Sequence, residues 1–596
     1  MPLCLLFLLL LAPHCLGSVF TAPEQLTSTK YDFIVVGAGT AGCVVASRLS
    51  ENPTVKVLVI EAGVADNTTE ADLINIPFLA GQGIGTTIDW NYTTTNQAGL
   101  NGRAIPYPRG FVMGGSSSIN SMIYFRGPSE DFDRLAAASG DPGWSWENLQ
   151  RFIFMNERHV APWNNRSNAG EYDPRAHGHG PLLSSVTADP FELDRRVIQT
   201  LSDHPEKYPF NMDLNSGNGL GFGWIQSTVG NGVRSSASRA YLHPALDSRT
   251  NIDLLLHTQV TRLISTGAAG STFTSVEVAQ SAGATKFEFT ATKEVILSAG
   301  SIGTPQILML SGIGPKNELE ALGIISRIDL PDVGANLQDQ TILSLQWEAK
   351  VETLSSFLSD PAAVNAALAQ WTENKTGIAA GTSLVNTIGF LRLPEDSPLL
   401  KSGDPAAGSN SAHFEFAFLN TFLPNADQPA PLTGNWVSAA VTLQSPTSRG
   451  SLKLRSRSAF EHPIIDPAFY TTSFDIGTVV HAVKALREFF SASAWDGFLG
   501  SPFPAVAALN TDEAIEAYAR TWATTVKHPV STAKISKIAD KAGVVSPNLL
   551  LKGGANGVRV VDASIFPFAV AGYPQAEVYI VAERAAALIK ETWSLK

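Results

Sequence analysis

The chain has 596 residues, of which 44% are hydrophobic and 16% charged, and its formal net charge is −12. A chain of this length is too long for one compact core, so we expect more than one lobe. The acidic balance and the lack of any run of lysines or arginines argue against nucleic acid and anionic membrane surfaces as partners. We therefore expect a globular, monomeric protein with neither kind of partner.

The first 17 residues contain an apolar run from Leu3 to Ala12, followed by small residues near Gly17. The run is too short to cross a bilayer, and its position is typical of a secretory signal peptide. The alternative is a buried N-terminal strand. No later segment approaches about 20 uninterrupted apolar residues, so we expect the mature protein to be secreted and soluble.

The cysteine content limits covalent and metal chemistry. Of the three cysteines, Cys4 and Cys15 fall inside the predicted signal peptide, and Cys43 alone remains. The mature chain can thus form neither an internal disulfide bond nor a cysteine-based metal site. His177 and His179 flank a glycine in a glycine-rich loop, where we expect solvent exposure and no metal. Four sequons are candidate glycosylation sites: Asn67, Asn91, Asn165 and Asn374.

Residues 31–63 predict a βαβ unit with a glycine-rich turn. They read YDFIVVGAGTAGCVVASRLSENPTVKVLVIEAG. The pattern predicts a strand over 33–36, an amphipathic helix over 41–49 and a buried strand over 55–60.

Each residue of this turn has a physical task in binding a dinucleotide. Gly37 makes the tight turn, Gly39 lets the backbone approach a pyrophosphate, and Gly42 allows the helix to pack closely on the strand. The helix N-terminus then faces the phosphates with its partial positive charge. Glu61, 19 positions beyond Gly42, can accept hydrogen bonds from ribose hydroxyl groups. These residues alone do not show whether the bound dinucleotide is FAD or NAD.

The later part of the chain predicts further strands and a closing helix. We expect buried strands over 252–256 and 295–298, two strands joined by a turn within 436–455, and a buried helix over 576–589. Just before this helix, residues 566–580 read FPFAVAGYPQAEVYI. Gly572 and Pro574 fix a bend that presents the phenol of Tyr573. The helix would direct its N-terminus toward an electron-rich group nearby.

Two glycine-rich stretches extend the pattern beyond nucleotide binding. They read RGFVMGGSSSINSMIYFRG (109–127) and GSIGTPQILMLSGIG (300–314). With the turn at 37–42, they make the chain resemble the glucose-methanol-choline (GMC) family of flavoprotein oxidoreductases, and within it the fungal aryl-alcohol oxidases, from residue 31 to residue 590. The second stretch fits the family's second signature, whereas Phe111 and Met113 depart from the first signature.

The resemblance implies a fold, a domain division and a cofactor. The fold is α/β (α+β overall), with a Rossmann-type FAD-binding domain interleaved with a second, antiparallel-sheet substrate domain. The expected regions are a GMC N-terminal region over 30–345 that carries most of the FAD-binding domain with substrate-domain insertions, mainly substrate domain over 346–440, and a GMC C-terminal region over 441–592. The resemblance assigns FAD contacts to Gly37, Gly39, Thr40, Ala41, Gly42 and Glu61 for the ADP part, Val260 for the adenine, Ser116 and Asn120 beside the isoalloxazine, and Asp562 and Ala563.

The resemblance also places two side chains in the active site. His528, in VKHPVST, matches the family's histidine, and Tyr573 stands where the family has a second histidine or asparagine. A neutral histidine suits the removal of a hydroxyl proton, whereas a tyrosine, with a pKa of about 10, is a poor base that can orient a substrate oxygen. We expect FAD-dependent oxidation of a primary aryl or allylic alcohol to the aldehyde, by hydride transfer to flavin N5, with His528 as base and oxygen or a quinone as acceptor. Glu415, in an apolar strand, either lines the active site or is structural.

Several residues depart from the aryl-alcohol oxidase pattern. Ser121, Lys527 and Leu423 stand at or near aromatic positions, and Gln340 replaces a more usual histidine. An active site that lacks these aromatic rings and carries the ammonium group of Lys527 disfavours benzylic alcohols. Two rival functions stay open: a non-redox lyase or cyclase of this fold in fungal secondary metabolism, with Tyr573 as the acid–base group, and an FAD-binding homologue without catalysis. A further alternative stays open, in which this loop has moved and Tyr573 only packs against other side chains.

Overall fold

A computed structural model of the protein describes residues 17–266, 270–382, 385–426, 428–431 and 433–596. The predicted signal peptide therefore lies outside the described residues, except for Gly17. Within these ranges, no helix has both the length and the apolar character that crossing a membrane requires.

The first large sheet has eight strands and mixes parallel with antiparallel pairing. Its five parallel pairs join the strands nearest the glycine-rich turn, and its two antiparallel pairs lie at one edge. In spatial order the strands are Ser18–Phe20, Ile252–Leu255, Val57–Ile60, Lys30–Val36, Phe287–Leu297, Thr272–Ala279 and Gln259–Thr266, and Val558–Val560 also pairs with Phe287–Leu297.

The βαβ unit predicted from the sequence is confirmed. It consists of the strand Lys30–Val36, the helix Thr40–Leu49 and the strand Val57–Ile60. The second strand is buried along its whole length, as expected for a parallel strand that is covered on both faces. The helix packs against the last helix, Gln575–Thr592, which confirms the predicted closing helix. The strands predicted at 252–256 and 295–298 are Ile252–Leu255 and the end of Phe287–Leu297.

The second large sheet has seven strands, and all of its pairs are antiparallel. Its strands come from separate parts of the chain. The domain ranges expected from the sequence stay a prediction. In spatial order they are Leu499–Pro502, Thr341–Ala349, Trp436–Leu443, Phe414–Leu419, Val385–Leu391 and Gly221–Trp224, and Thr524–Thr525 also pairs with Thr341–Ala349.

The two strands predicted within 436–455 both exist, but they do not form one hairpin. Trp436–Leu443 belongs to the antiparallel sheet, whereas Gly450–Lys453 pairs with Ala335–Leu337 and Ile464–Asp466 in a separate three-stranded sheet. The carboxylate of Asp475 holds the connection between them, because it accepts the backbone N–H groups of residues 447 and 448 at 2.7 and 3.0 Å.

Helices cover the two sheets and connect the lobes. The α-helices are Thr40–Leu49, Ala71–Asn75, Ser129–Ser139, Trp146–Asn156, Glu192–Asp203, His243–Ser248, Gly300–Leu310, Lys316–Ala321, Leu354–Leu358, Pro361–Asn374, Ser473–Phe489, Pro504–Ala507, Asp512–Trp522 and Gln575–Thr592. Short two-stranded pairs join Ile123–Tyr124 with Gln226–Ser227, Glu157–His159 with Leu182–Ser184, Val229–Gly230 with Val233–Arg234, and Ile313–Gly314 with Ile328–Asp329.

The expectation of a solvated His-Gly-His loop is wrong for His177. Its side chain is 3% exposed, and its ring nitrogens lie 2.7 Å from Glu157 Oε1 and 2.8 Å from Asp213 Oδ2. Arg126 forms an ion pair with the same Glu157 carboxylate. These partners are distant in sequence, so the local glycine-rich composition could not reveal them. His179 is exposed, and no cluster of three or more His, Cys, Asp or Glu in the described residues could hold a metal ion.

All four sequon asparagines lie on the surface. Asn67, Asn91, Asn165 and Asn374 are exposed in the structure. Exposure is a requirement of glycosylation, and the modification itself stays a prediction.

Aromatic side chains hold the antiparallel sheet against the helix Ser473–Phe489. The ring of Phe222 stacks on Phe489 with a centroid separation of 5.3 Å, and it also contacts Tyr208 at 5.7 Å and Phe418 at 6.4 Å. Phe222 is fully buried. The cluster fixes this sheet, which forms one wall of the cavity described below.

We expect Phe222→Ala to lower the free energy of unfolding by about 3–5 kcal/mol, because it leaves a cavity among these rings. Phe210→Ala, at a side chain that is 45% exposed, is the matched control and should change it by less than about 0.5 kcal/mol. Urea denaturation followed by tryptophan fluorescence measures both. Equal midpoints for the two variants would contradict a structural role for Phe222.

Candidate active site

One cavity of about 520 Å³ runs from the glycine-rich turn to the antiparallel sheet. Strands of both large sheets form its walls, and His528 and Tyr573 line it together with residues of the antiparallel sheet such as Glu415. All but one of the predicted site residues line it: Gly37, Gly39, Thr40, Ala41, Glu61, Ser116, Asn120, Val260, His528, Asp562, Ala563 and Tyr573.

The exception, Gly42, lies behind the turn. A Cβ atom at Gly42 would be 1.9 Å from the carbonyl oxygen of Gly37, so only glycine allows the helix to approach this closely. Gly37 itself has a φ of +97°, a conformation that glycine adopts without strain. A Cβ at Gly39 would have its nearest protein atoms at 3.8 and 3.9 Å. The backbone at Gly39 is therefore open to a ligand in the cavity.

The helix that follows the turn begins without a side-chain cap. Its N-cap is Gly39, no side chain accepts its first N–H groups, and its first turn has no acidic residue. Thr40 and Ala41 line the cavity at this end. Free N–H groups and the helix dipole together favour an anion. The turn therefore fits the pyrophosphate of a dinucleotide.

Glu61 lies at the end of the second strand and lines the same end of the cavity. Its carboxylate accepts the backbone N–H groups of Ala38 at 2.7 Å and Gly63 at 2.8 Å. Burial raises the pKa of Glu61 to about 7. The side chain thus fixes the loops on both sides of the turn, and its oxygens remain at the cavity edge where a ribose hydroxyl group can donate to them.

Two polar residues predicted beside the isoalloxazine are held by other parts of the chain. Ser116 Oγ accepts the N–H of Gly110 at 3.2 Å. The amide nitrogen of Asn120 donates to Gln575 Oε1, and its oxygen accepts from Arg234 Nη1 at 2.8 Å. Arg234 is 1% exposed, so the Asn120 amide is fixed from the protein interior. Gln575 links this side of the cavity to the last helix.

The remaining predicted cofactor residues, Val260, Asp562 and Ala563, also line the cavity. Val260 lines the cavity where its strand has a register shift. The carboxylate of Asp562 accepts the N–H of Gly300 at 3.0 Å and the hydroxyl of Thr304 at 2.5 Å, so it anchors a second helix N-terminus beside Ala563. The open glycine, the uncapped helix and these polar groups fit FAD, and these residues would hold it.

His528 is fixed at its main chain and at one ring nitrogen. Its N–H donates to Asp339 Oδ1 at 2.8 Å, and Nδ1 lies 2.6 Å from Gln340 Oε1. Its ring also contacts the ring of Tyr573 edge-on, at a centroid separation of 5.0 Å. The imidazole therefore has one orientation in the cavity.

The side-chain amide of Gln340 determines which nitrogen of His528 carries the proton. The Gln340 nitrogen donates to the main-chain carbonyls of Gln444 at 2.8 Å and Val570 at 2.9 Å. Because carbonyl groups can only accept, this atom must be the NH₂ group, and the oxygen must face His528. Nδ1 of a neutral His528 therefore donates, and Nε2 keeps its lone pair.

Burial and two neighbouring cations keep His528 neutral. Burial lowers the pKa of His528 to about 3, and Arg109 and Lys527 contribute in the same direction. Both cations line the cavity, and neither forms an ion pair with a carboxylate of the described residues. Lys527 has a φ of +72°, and its carbonyl accepts from Arg109 Nη2 at 2.7 Å.

Tyr573 is paired with a buried carboxyl group that lines the cavity. The Tyr573 hydroxyl lies 2.8 Å from Glu415 Oε1. Burial raises the pKa of Tyr573 well above its usual value, so the phenol stays protonated. Glu415 is 1% exposed and lines the cavity, so it belongs to the site wall. The other Glu415 oxygen accepts from the side-chain nitrogen of Gln444.

The residues that depart from the aryl-alcohol oxidase pattern mostly face the cavity. Ser121, Lys527 and Leu423 line it. Gln340, the fourth of these residues, does not line it. Phe422, which adjoins Leu423, does not line it either, because its ring packs on those of Trp436 and Phe503 at 5.5 and 5.4 Å. Ser121, Lys527 and Leu423 thus give the cavity wall polar and aliphatic side chains.

One member of this site, Gln444, was not predicted from the sequence. Gln444 connects Gln340 to Glu415, because its oxygen accepts from Gln340 Nε2 at 3.0 Å and its nitrogen donates to Glu415. A glutamine at the end of an apolar strand has no local pattern that marks it. The position became visible only through strand pairing.

Two family models described as GMC oxidoreductase match this chain, over residues 31–342 and 446–582. The chain is 39% identical to pyranose dehydrogenase 3 from Leucoagaricus meleagris over 584 residues, which cover 96% of this chain and 95% of that protein. A structure of a formate oxidase variant from Aspergillus oryzae, described for its effect on FAD modification, has a TM-score of 0.86 at 28% identity and covers 98% of this chain and 100% of that one. A fungal aryl-alcohol oxidase has a TM-score of 0.80 at 24% identity over 95% of this chain and 100% of that one, which shows a shared fold.

The second family model covers the segments that carry His528 and Tyr573, and the match to the pyranose dehydrogenase extends over nearly the whole chain. They agree with the cavity, whose glycine turn and uncapped helix fit FAD. The chain belongs to the GMC oxidoreductase family, as an FAD-dependent enzyme that acts on CH–OH groups.

Proposed function

We propose that this enzyme converts the CH–OH group of a small alcohol to a carbonyl group, with His528 as the base. The observation that carries the proposal is the lone pair of His528 Nε2, which Gln340 fixes and which the cavity leaves open. FAD, held by the residues of the glycine turn and by Ser116, Asn120 and Asp562, would supply the hydride acceptor for the carbinol carbon, with oxygen or a quinone as the final electron acceptor. Nε2 takes the hydroxyl proton, and the carbon–oxygen double bond forms.

The position of Tyr573 supports a role as the orienting partner. Its ring lies 5.0 Å from that of His528, so both side chains can reach one substrate oxygen. Its pKa is raised by burial, which keeps the phenol protonated and excludes it as the base. Tyr573 thus holds the substrate, whereas His528 removes the proton.

The cavity wall supports a polar alcohol. Ser121 and Lys527 face the cavity in place of aromatic residues, and Glu415 adds a polar group beside Tyr573. A pyranose is the first candidate, because a relative that is 39% identical is named a pyranose dehydrogenase. The primary aryl or allylic alcohol predicted from the sequence is the second candidate. Secretion and glycosylation of the mature chain remain part of the proposal.

Anaerobic mixing of the purified, FAD-loaded protein with pyranoses and with aryl and allylic alcohols tests this function. We expect at least one of them to bleach the flavin absorbance band. Bound flavin that no alcohol bleaches would contradict the proposal and favour the inactive homologue. Turnover of a compound without any change in flavin colour would instead identify a lyase or cyclase. The acceptor is then found by mixing the reduced protein with oxygen or with a benzoquinone.

We expect His528→Ala to slow the bleaching by about 10²- to 10⁴-fold, the range for loss of a general base. The variant should still bind FAD, because His528 is not among the residues that fit the dinucleotide. His179→Ala, at an exposed position, is the matched control and should bleach like the wild type. Bleaching at the wild-type rate in His528→Ala would rule out His528 as the base.

We expect kcat/KM to show no acid limb with an apparent pKa of about 6.5, the ordinary value for histidine. The pKa of His528 is lowered to about 3, so the active neutral form persists as pH falls, and activity is lost only as pH approaches that value. Steady-state rates between pH 4 and pH 7, in buffers of constant ionic strength, measure this. A limb near the ordinary histidine pKa would contradict it.

A further inference from the structure

Glu415 is a buried carboxyl group without a cationic partner. It lies in the strand Phe414–Leu419 and is 1% exposed. No lysine, arginine or histidine of the described residues forms an ion pair with it. Its hydrogen-bond partners are the Tyr573 hydroxyl, at 2.8 Å, and the side-chain nitrogen of Gln444. An ionised carboxylate in this position would lack a compensating charge, and burial of such a group is costly.

We propose that Glu415 is a neutral carboxylic acid that positions the Tyr573 hydroxyl, so that Tyr573 donates its hydrogen bond to the substrate oxygen. Glu415 donates its proton to Tyr573 Oη, and the Tyr573 O–H then points into the cavity. This inference rests on the proposed alcohol oxidation, and it assigns a positioning task to a residue that takes up neither the proton nor the hydride of the substrate.

The orientation of Gln444 supports this arrangement. Its nitrogen faces Glu415, because its oxygen accepts from Gln340 Nε2 at 3.0 Å. An N–H donor at one Glu415 oxygen leaves the acid proton to the other oxygen, which lies at Tyr573. The chain of hydrogen bonds from His528 through Gln340 and Gln444 to Glu415 therefore determines the direction of the last bond, at Tyr573.

The direction of that bond determines what Tyr573 offers to a substrate. A phenol that donates to a carboxylate presents only its lone pairs to the cavity. His528 Nε2 also presents a lone pair, so an alcohol oxygen would then meet two acceptors and no donor. With a neutral Glu415, the same oxygen can donate to Nε2 and accept from Tyr573. This arrangement holds an alcohol in position for loss of its hydroxyl proton.

The proposal has a pH dependence of defined sign. Burial raises the pKa of Glu415 to about 8, while its bonds to Tyr573 and Gln444 act in the opposite direction. The neighbouring strands place Phe390 and Thr442 beside it, and neither titrates. The titratable groups that face it are Tyr573 and, beyond it, His528. Above the pKa of Glu415, its ionised form reverses the bond and kcat/KM falls.

Substitutions of Glu415 test whether its side chain acts as a neutral acid or as a carboxylate. In Glu415→Gln, the amide carbonyl accepts from Gln444 and the amide NH₂ donates to Tyr573 Oη, as the neutral acid does. In Glu415→Leu, both bonds are lost. We expect Glu415→Leu and Tyr573→Phe each to lower kcat/KM about tenfold or more. The kcat/KM of Glu415→Gln should exceed that of Glu415→Leu by about tenfold.

The alkaline limb of kcat/KM near pH 8 should disappear in Glu415→Gln, because the amide does not titrate. The matched control is Glu577→Gln. Glu577 is a second buried carboxyl whose pKa burial raises, and it does not line the cavity, so its variant should keep the limb. A Glu415→Gln variant that is as slow as Glu415→Leu would overturn the proposal, because a carboxylate would then be required.

Infrared spectroscopy gives a second measurement that is independent of turnover. The wild-type spectrum minus that of Glu415→Gln should contain the C=O stretch of a protonated carboxylic acid, and this band should vanish as pH rises through about 8. A difference spectrum with only carboxylate bands at pH 6 overturns the proposal. This measurement also separates the two inferences: if no alcohol bleaches the wild-type flavin but the acid band is present, alcohol oxidation fails and the neutral Glu415 stands.

Discussion

The side-chain amide of Gln340 has only one possible orientation, because its nitrogen faces two main-chain carbonyl groups, those of Gln444 and Val570. Its oxygen must then accept from Nδ1 of His528, which leaves the lone pair of Nε2 in the cavity. The same nitrogen also donates to the side chain of Gln444, whose own nitrogen is thereby directed at Glu415. One amide therefore fixes the protonation pattern on both sides of the candidate active site. Because each bond is buried, reversal of any one of them would leave a polar atom unpaired.

This amide also connects the architecture to the chemistry. Gln340 precedes the strand Thr341–Ala349, which begins next to Thr524–Thr525 in the antiparallel sheet. That pairing brings His528, only a few residues beyond, against Gln340. The bend at Tyr573 lies just before the last helix, which packs on the helix of the glycine turn. The two active-site side chains thus meet the nucleotide end of the cavity because the C-terminal segment returns to the first sheet.

The features predicted from the sequence were those that a local pattern can carry. The glycine turn, the βαβ unit, His528 and Tyr573 each depend on residues within a short stretch, and the structure brings all of them to one cavity. The network behind them was not predictable, because it joins three sequence positions near 340, 415 and 444 through strand register. The error at His177 has the same origin, since its carboxylate partners come from distant segments. Long-range pairing of polar groups leaves no periodic signal in one sequence.

The combination of Tyr573 with Glu415 suits a wall that already carries two positive charges. Lys527 and Arg109 line the cavity beside His528 and lower its pKa. A second imidazole in the place of Tyr573 could take up a proton, and that charge would be buried close to the other two. A phenol can donate without any charge, but its hydroxyl group rotates freely and can turn toward any acceptor. A neutral acid behind it removes that freedom, because the acid proton occupies the phenol oxygen and directs the O–H outward. The carboxyl group and the tyrosine are thus two parts of one uncharged donor.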